Sequence, residues 1–232
     1  MKKLSAILLV ILLVSALCAC GKEAGSKITI GICQLVQHEA LDKATQGFID
    51  AVTEGLGAEN VEILNQNAGG ESSSCTTIVN GFVSRNVDLI MANATASLQA
   101  ASAATSEIPV LGTSITDYAS ALEIDNWNGV VGGNVSGASD LAPLEKQAEM
   151  ITEWFPDTKK VAIIYCSSES NSLFQAEEIA KVLQGMNIES KTFTFTDSND
   201  ITAVTQNACS YADVIYIPTD NTAAANRKLL QM

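Results

Sequence analysis

Where each apolar run of this 232-residue chain stops, a short polar segment begins, and these segments hold most of the residues able to do chemistry. Residues 34–42 follow the first run, 93–99 the third, 113–117 the fourth and 132–140 the fifth; 167–172 and 218–222 play the same part later in the chain. They offer hydroxyls, amides and single carboxylates, with no Lys or Arg among them. Ser, Thr, Asn and Asp at such places cap the starts of helices. The same arrangement presents free N–H groups and the positive end of a helix dipole to a small anion. A carboxylate such as Asp117 or Asp220 could then accept an ammonium group. A helix end for a carboxylate and a carboxylate for an ammonium are what a zwitterionic amino acid needs, and for each single Ser or Thr simple capping stays open beside that reading.

Catalysis finds little support. His38 is the only histidine, so any Ser-His-Asp triad must use it, and Gly133-Asn134-Val135-Ser136-Gly137 has the wrong spacing for a nucleophile elbow. No H-E-x-x-H, cysteine cluster or phosphate-binding loop occurs, so no metal or cofactor is expected, and an extracytoplasmic hydrolase is the remaining enzyme alternative. With 13 Lys+Arg against 26 Asp+Glu the formal charge is −13, and no basic run exceeds a pair, which argues against nucleic acid as a partner. Hydrophobic content of 47% beside 17% charged residues is that of a globular protein.

The elements that must position these residues alternate. Short β-branched runs at 27–33, 61–65, 87–92, 109–112, 129–131, 161–166, 189–195 and 214–218 read as strands. Amphipathic stretches at 39–55, 72–85, 96–106, 144–155, 172–185, 201–211 and from Thr222 onward read as helices. Strands as apolar as Val161-Ala162-Ile163-Ile164-Tyr165 are buried on both faces, so the order predicts parallel sheets with helices on either side. The pattern restarts near Lys160, which predicts two similar Rossmann-like α/β lobes with a cleft between them; one continuous sheet is the alternative.

The N-terminus reads as an address. Lys2 and Lys3 precede an apolar run from residue 4 to 17, too short to span a bilayer, that closes with Leu17-Cys18-Ala19-Cys20-Gly21. This resembles the lipobox of bacterial lipoproteins and implies cleavage after Ala19 and lipidation of Cys20, with an ordinary secretory peptide as the alternative. The expected layout is a signal peptide at 1–19, a tether at 20–26, an N-terminal α/β lobe at 27–140, and a crossover helix with a partial C-terminal α/β lobe at 141–232. Cys33, Cys75, Cys166 and Cys209 are scattered without ligand spacing, and buried free thiols are at least as good a reading as two disulfides.

Several short motifs in order are similar to those of the tryptophan/tyrosine-type substrate-binding lipoproteins of ABC importers, of the type I periplasmic-binding-protein architecture. They are Gly31-Ile32-Cys33-Gln34, His38-Glu39-Ala40-Leu41-Asp42, Gly47-Phe48, Ile108-Pro109-Val110-Leu111, Thr116-Asp117, 133–140, Glu169-Ser170-Asn171-Ser172 and Pro218-Thr219-Asp220-Asn221-Thr222. The resemblance implies a lipid-anchored extracytoplasmic protein that holds an aromatic or related amino acid between two lobes and hands it to an ABC permease. A lipoprotein that presents its ligand to a membrane receptor is the alternative. Carried over residue by residue, it implies ligand contacts from Asn93, Thr95, Ser114, Asp117, Ser139, Asp140, Ser168, Asn171, Ser172, Asp220 and Asn221. Asp117 and Asp220 are the candidates for the amine, and the Thr95, Ser114 and Ser172 hydroxyls with adjacent N–H groups those for the carboxylate. The chain departs from the family pattern at Glu39 and Tyr118, where Pro is usual. Aromatic residues make up only 5%, so Tyr118, Trp127 and Phe174 are possible walls of a ligand pocket but better read as core. Five strands in the first series against three in the second lead to the expectation of a C-terminally truncated second lobe.

Overall fold

The computed structural model describes residues 27–231, so the expected signal peptide and the whole tether, Cys20 included, lie outside the described residues. The first sheet comprises β1 (Ile28–Gln34), β2 (Val61–Asn67), β3 (Leu89–Asn93), β4 (Val110–Ile115) and β5 (Val135–Ser139), all parallel, in the order β2-β1-β3-β4-β5. A second parallel sheet comprises β6 (Lys160–Cys166), β7 (Glu189–Phe195) and β8 (Val214–Tyr216), in the order β7-β6-β8. The helices are α1 (Glu39–Leu56), α2 (Ser72–Ser84), α3 (Thr95–Ala104), α4 (Tyr118–Ala121), α5 (Leu144–Trp154), α6 (Ser170–Gly185), α7 (Ile201–Tyr211) and α8 (Asn221–Ala225).

Alternation along each central strand feeds two cores. Val161, Ile163 and Tyr165 of β6 point to one face, among Ala148 and Ile151 of α5 and Ala176, Ile179 and Leu183 of α6. Ala162, Ile164 and Cys166 point to the other, among Ile201 and Ala208 of α7 and Ala223 of α8. The period of two and the burial of both faces explain why this run is apolar almost without break. In the first lobe, Ile30, Ile32 and Met91 meet Phe48, Ile49 and Val52 of α1 on one face. Cys33, Ile90 and Ala92 meet Cys75, Val79 and Phe82 of α2 and Leu98 of α3 on the other. The protein is therefore bilobed, with two parallel sheets each flanked by helices.

The fifth strand differs from the sequence expectation. Residues 129–131 are not a strand; Gly129, Gly132 and Gly133 hold φ of 88°, 79° and 60°, which turns the chain, and pairing begins only when Val135 meets Val110. Gly137, at φ 154°, comes so close to β4 that a Cβ there would collide with the Gly112 carbonyl and the Tyr118 hydroxyl. Tyr118 belongs to the core and donates from Oη to Gly112 O at 3.1 Å and Ala138 O at 3.4 Å. The turn of helix α4 was not expected from periodicity. Asp117 starts it, accepting from Ser120 N at 2.7 Å. Cys33, Cys75 and Cys166 are buried free thiols, whereas Cys209 is exposed.

From β5 the chain crosses to the second lobe through residues 140–143. The crossing is pinned at its start by Asp140 N donating to Ile115 O at 3.0 Å and Ser139 Oγ donating to Thr116 O at 2.8 Å. Asp140 is exposed at the surface, yet the surrounding chain lifts its carboxyl above the usual range, opposed by the Thr116 hydroxyl.

Candidate functional site

In each sheet the strand order reverses beside the first strand of the lobe: between β1 and β3 in the first, and between β6 and β8 in the second. Helices then leave on opposite faces, and the carboxyl ends of those strands open into a crevice where ligands of such folds bind. The two crevices face each other. Leu35, Gly70, Ser72, Ala96 and Gln99 of the first lobe meet Ser168, Glu169, Ser170 and Asn171 of the second around a space of about 10 Å³, the size of one water. Gln99 Nε2 spans it, donating to Ala121 O at 3.0 Å and to Ser170 Oγ at 3.5 Å.

Helices α2, α3 and α6 all begin at this cleft, contributing Ser72, Ala96, and Ser170 with Asn171. Each has 10 to 16 residues, none has a side-chain cap, and none has an acid in its first turn. Their leading N–H groups are left unclaimed by side-chain caps, although acids stand at the N-cap positions of α2 (Glu71) and α6 (Glu169), so the positive dipole end is least opposed at α3, which follows Ala94. The short helices α4 and α8 are capped, by Asp117 and Asp220 respectively. Backbone strain gathers nearby: Ala94 at φ 86° and Ser114 at φ 56° follow or end the adjacent strands β3 and β4, and Ala94 N donates to Thr113 O at 3.0 Å. Non-glycine residues held there cost about 1–3 kcal/mol each and are typical of functional sites.

Of the residues singled out from sequence, Ser168 and Asn171 line the cleft. Thr95 and Ser172 are buried at helix starts beside it. Asn93 is fully buried; its Nδ2 donates to Leu41 O and Thr45 Oγ1, both at 2.9 Å, while its Oδ1 has no partner among the described residues. Thr45 donates in turn to Gln34 Oε1 at 2.6 Å, and Gln34 Nε2 to Asp42 Oδ1 at 2.7 Å, a network that ties α1 to the ends of β1 and β3. Ser139 and Asp140 sit at the crossing rather than among the residues enclosing the cleft. Tyr118, Trp127 and Phe174 are also absent from that wall; Trp127 is exposed, and Phe174 lies by residues 141–144.

Asp220 is committed to the backbone. Its Oδ2 accepts from Cys166 N and its Oδ1 from Ala223 N, both at 2.7 Å, and only 4% of the residue is exposed. Burial, and then the negative charge of Glu169, push its carboxyl up to about 6. Glu169 itself was not singled out from sequence. Its buried carboxylate accepts from Asn221 N (2.9 Å), Asn221 Nδ2 (2.8 Å), Thr222 N (2.7 Å), Thr222 Oγ1 (2.8 Å) and Asn171 Nδ2 (3.3 Å). Five donors fill a carboxylate's capacity, so Glu169 serves as the pin joining the starts of α6 and α8. The only available sequence signal was one acid set in a run of Ser and Asn with no basic residue nearby. Among the described residues, no group of three or more His, Cys, Asp or Glu is placed to hold a metal ion.

A family model described as ABC transporter substrate binding protein matches residues 29–231. A tyrosine-binding protein of Clostridioides difficile is 35% identical over 235 residues, which cover 95% of this chain and 68% of that protein. Among solved structures, the ABC domain in complex with L-Trp from Streptococcus pneumonia is 32% identical with a TM-score of 0.83, over 88% of this chain and 70% of that one. The ligand-free, open structure of a substrate-binding protein from Clostridium difficile is also 32% identical, over 87% and 69%, but its TM-score is 0.58.

Proposed function

Because the chain belongs to the ABC transporter substrate-binding protein family, a non-catalytic family whose members are the extracytoplasmic solute-binding components of importers, we propose that its own solute is an aromatic L-amino acid. The observation that carries this reading is the convergence of three uncapped helix starts on the interlobe cleft. They supply donors and dipoles for a carboxylate in a site without Lys or Arg. For the amine, Asp117 keeps Oδ2 uncommitted among the described residues, and Asn93 Oδ1 is an unpartnered acceptor at the end of β3. Thr95, Ser114, Ser168, Asn171 and Ser172 then surround the ligand. Ser139 and Asp140 act at the crossing, and Asp220 and Asn221 act by building the α8 wall. A relative that binds tyrosine and another solved with L-Trp support an aromatic side chain.

The remainder of the proposal is the assembly. Cys20 carries a lipid that holds the protein at the outer face of the membrane, where the two lobes deliver their solute to an ABC permease. The lipobox at residues 17–21 supports the anchor.

Thermal shift and calorimetry with L-Trp, L-Tyr, L-Phe and L-Leu test the ligand. Aromatic amino acids stabilise the protein, by about 2.7 kcal/mol at a hundred times Kd. Tryptamine, which lacks the carboxylate, and indole-3-propionate, which lacks the amine, bind at least about tenfold more weakly, the loss of one charged hydrogen-bonding site. Absence of stabilisation by every amino acid overturns the reading.

A further inference from the structure

We propose that His38 and Asn221 form a latch that holds the two lobes shut and thereby sets how long a bound solute is retained. His38 ends the loop after β1 and Asn221 begins α8; they lie 183 residues apart in sequence, one on each lobe, with Nε2 and Oδ1 3.3 Å apart. The roles in this contact are fixed by its neighbours. Asn221 Nδ2 and N both donate to Glu169 Oε2, at 2.8 and 2.9 Å, so the amide is locked with its oxygen turned to His38. An amide oxygen only accepts, so His38 donates from Nε2–H, which both its neutral Nε2–H tautomer and its cation can do. His38 occupies the N-cap position of α1 but makes no capping bond, which leaves its side chain free to reach across.

Glu169 links this latch to the solute site. The carboxylate that orients Asn221 belongs to a residue lining the cleft, at the uncapped start of α6. Beside it, Arg227 Nη1 lies 3.9 Å from Glu39 Oε2, but both side chains are well exposed, so this ion pair adds little. At equal identity, the chain fits the L-Trp complex far better than the open, ligand-free relative, so the lobes here stand in the shut arrangement. The cleft around Gln99 and Ser170 has room for one water, so exchange of a solute held there requires the lobes to part, and the latch must break each time; the wider spaces of about 370 and 480 Å³ between residues 37–43 and 224–229 lie outside that cleft, beside the latch.

This inference rests on the solute-binding reading, and its test separates the two. In the full chain, His38→Ala raises koff for L-Trp or L-Tyr about three- to tenfold, the worth of one hydrogen bond, and leaves kon within about twofold. The preference between the two amino acids is unchanged, because His38 is not among the residues that enclose the cleft, and His38→Gln, which can donate from its amide, restores most of the retention. An unchanged koff in His38→Ala, or a changed preference, overturns the latch. Should the wild type bind neither amino acid, the solute reading falls alone, and amide exchange in the ligand-free chain decides the latch. Faster exchange in His38→Ala at both residues 39–43 and 221–225 supports it, and unchanged exchange in either segment overturns it.

Discussion

Asp220→Asn probes the most strongly loaded acid of the second lobe. In the wild type both oxygens accept backbone N–H groups, from Cys166 and Ala223 at 2.7 Å, yet burial and the facing Glu169 charge still raise the carboxyl from 3.8 to about 6. A folded-state pKa above the unfolded one means that the native protein binds more protons between about pH 4 and 6. Stability from this group is therefore highest on the acid side and is lost as pH rises through 6. The gap of about two units corresponds to about 3 kcal/mol. The variant cannot titrate. Its amide supplies one acceptor where two N–H groups need one, which leaves a buried donor unpaired at about 1–3 kcal/mol. The two effects oppose each other at neutral pH, so Asp220→Asn is close to wild type there and clearly less stable near pH 4.5. Urea denaturation of both proteins from pH 4.5 to 7.5 gives the difference in unfolding free energy, in which the rest of this acidic chain cancels. That difference shrinks by about 2 kcal/mol over this pH range, the remainder of the full gap falling below pH 4.5. A pH-independent difference would refute the idea that a raised Asp220 carboxyl is held in place by the backbone.

Three further outcomes are expected. Gly137→Ala places a Cβ against the Gly112 carbonyl at a φ of 154° and loosens β5 from β4, costing about 2 kcal/mol or more in denaturant titrations and accelerating amide exchange along β5. Tyr118→Phe removes the hydroxyl that bridges Gly112 O and Ala138 O and costs about 1 kcal/mol, read as a shifted urea midpoint at constant m, with solute affinity unchanged. Cys20→Ser prevents lipidation, so the protein moves from the membrane fraction to the soluble fraction in cells, and intact-mass analysis of the wild type, but not the variant, shows the added acyl mass.

The two lobes were legible because a strand buried on both faces leaves few polar choices. The apolar run at residues 161–166 corresponds to β6 to within a residue, the Thr/Phe alternation at 189–195 marks the mostly exposed edge strand β7, and the five-plus-three division of strands stands. Periodicity misled where backbone conformation, not burial, decides. Val130 and Val131 look like a strand, but positive φ at Gly129, Gly132 and Gly133 turns the chain, and the mostly exposed segment Val135–Ser139 pairs instead. The edge strand β5, of Val, Ala, Gly and two Ser with four of its five residues exposed, carries no alternating signal, whereas the Phe and Thr of β7 do. One turn of helix, such as α4, is likewise too short to show a period of 3.6.

At the cleft, residue type marked the neighbourhood but not the role. Reading Asp220 as free to meet a ligand amine treats a carboxylate after a strand as unpaired. In the fold it satisfies an N–H of β6 and one of α8, a pairing across 54 residues that no local window contains. Glu169 went unselected for the same reason, since four of its five donors lie on Asn221 and Thr222, more than fifty positions away. What the sequence did contain was the pattern of omission: Glu71, Ala94 and Glu169 stand before α2, α3 and α6 where Ser, Thr, Asp or Asn would cap them. Those helices begin at the cleft without side-chain caps, but α1, α5 and α7 are uncapped as well, and only the short α4 and α8 carry Asp caps. A missing cap therefore points to the solute carboxylate only where the fold also brings the helix start to the cleft, because the donors that matter are backbone groups the side chains leave unclaimed at that place.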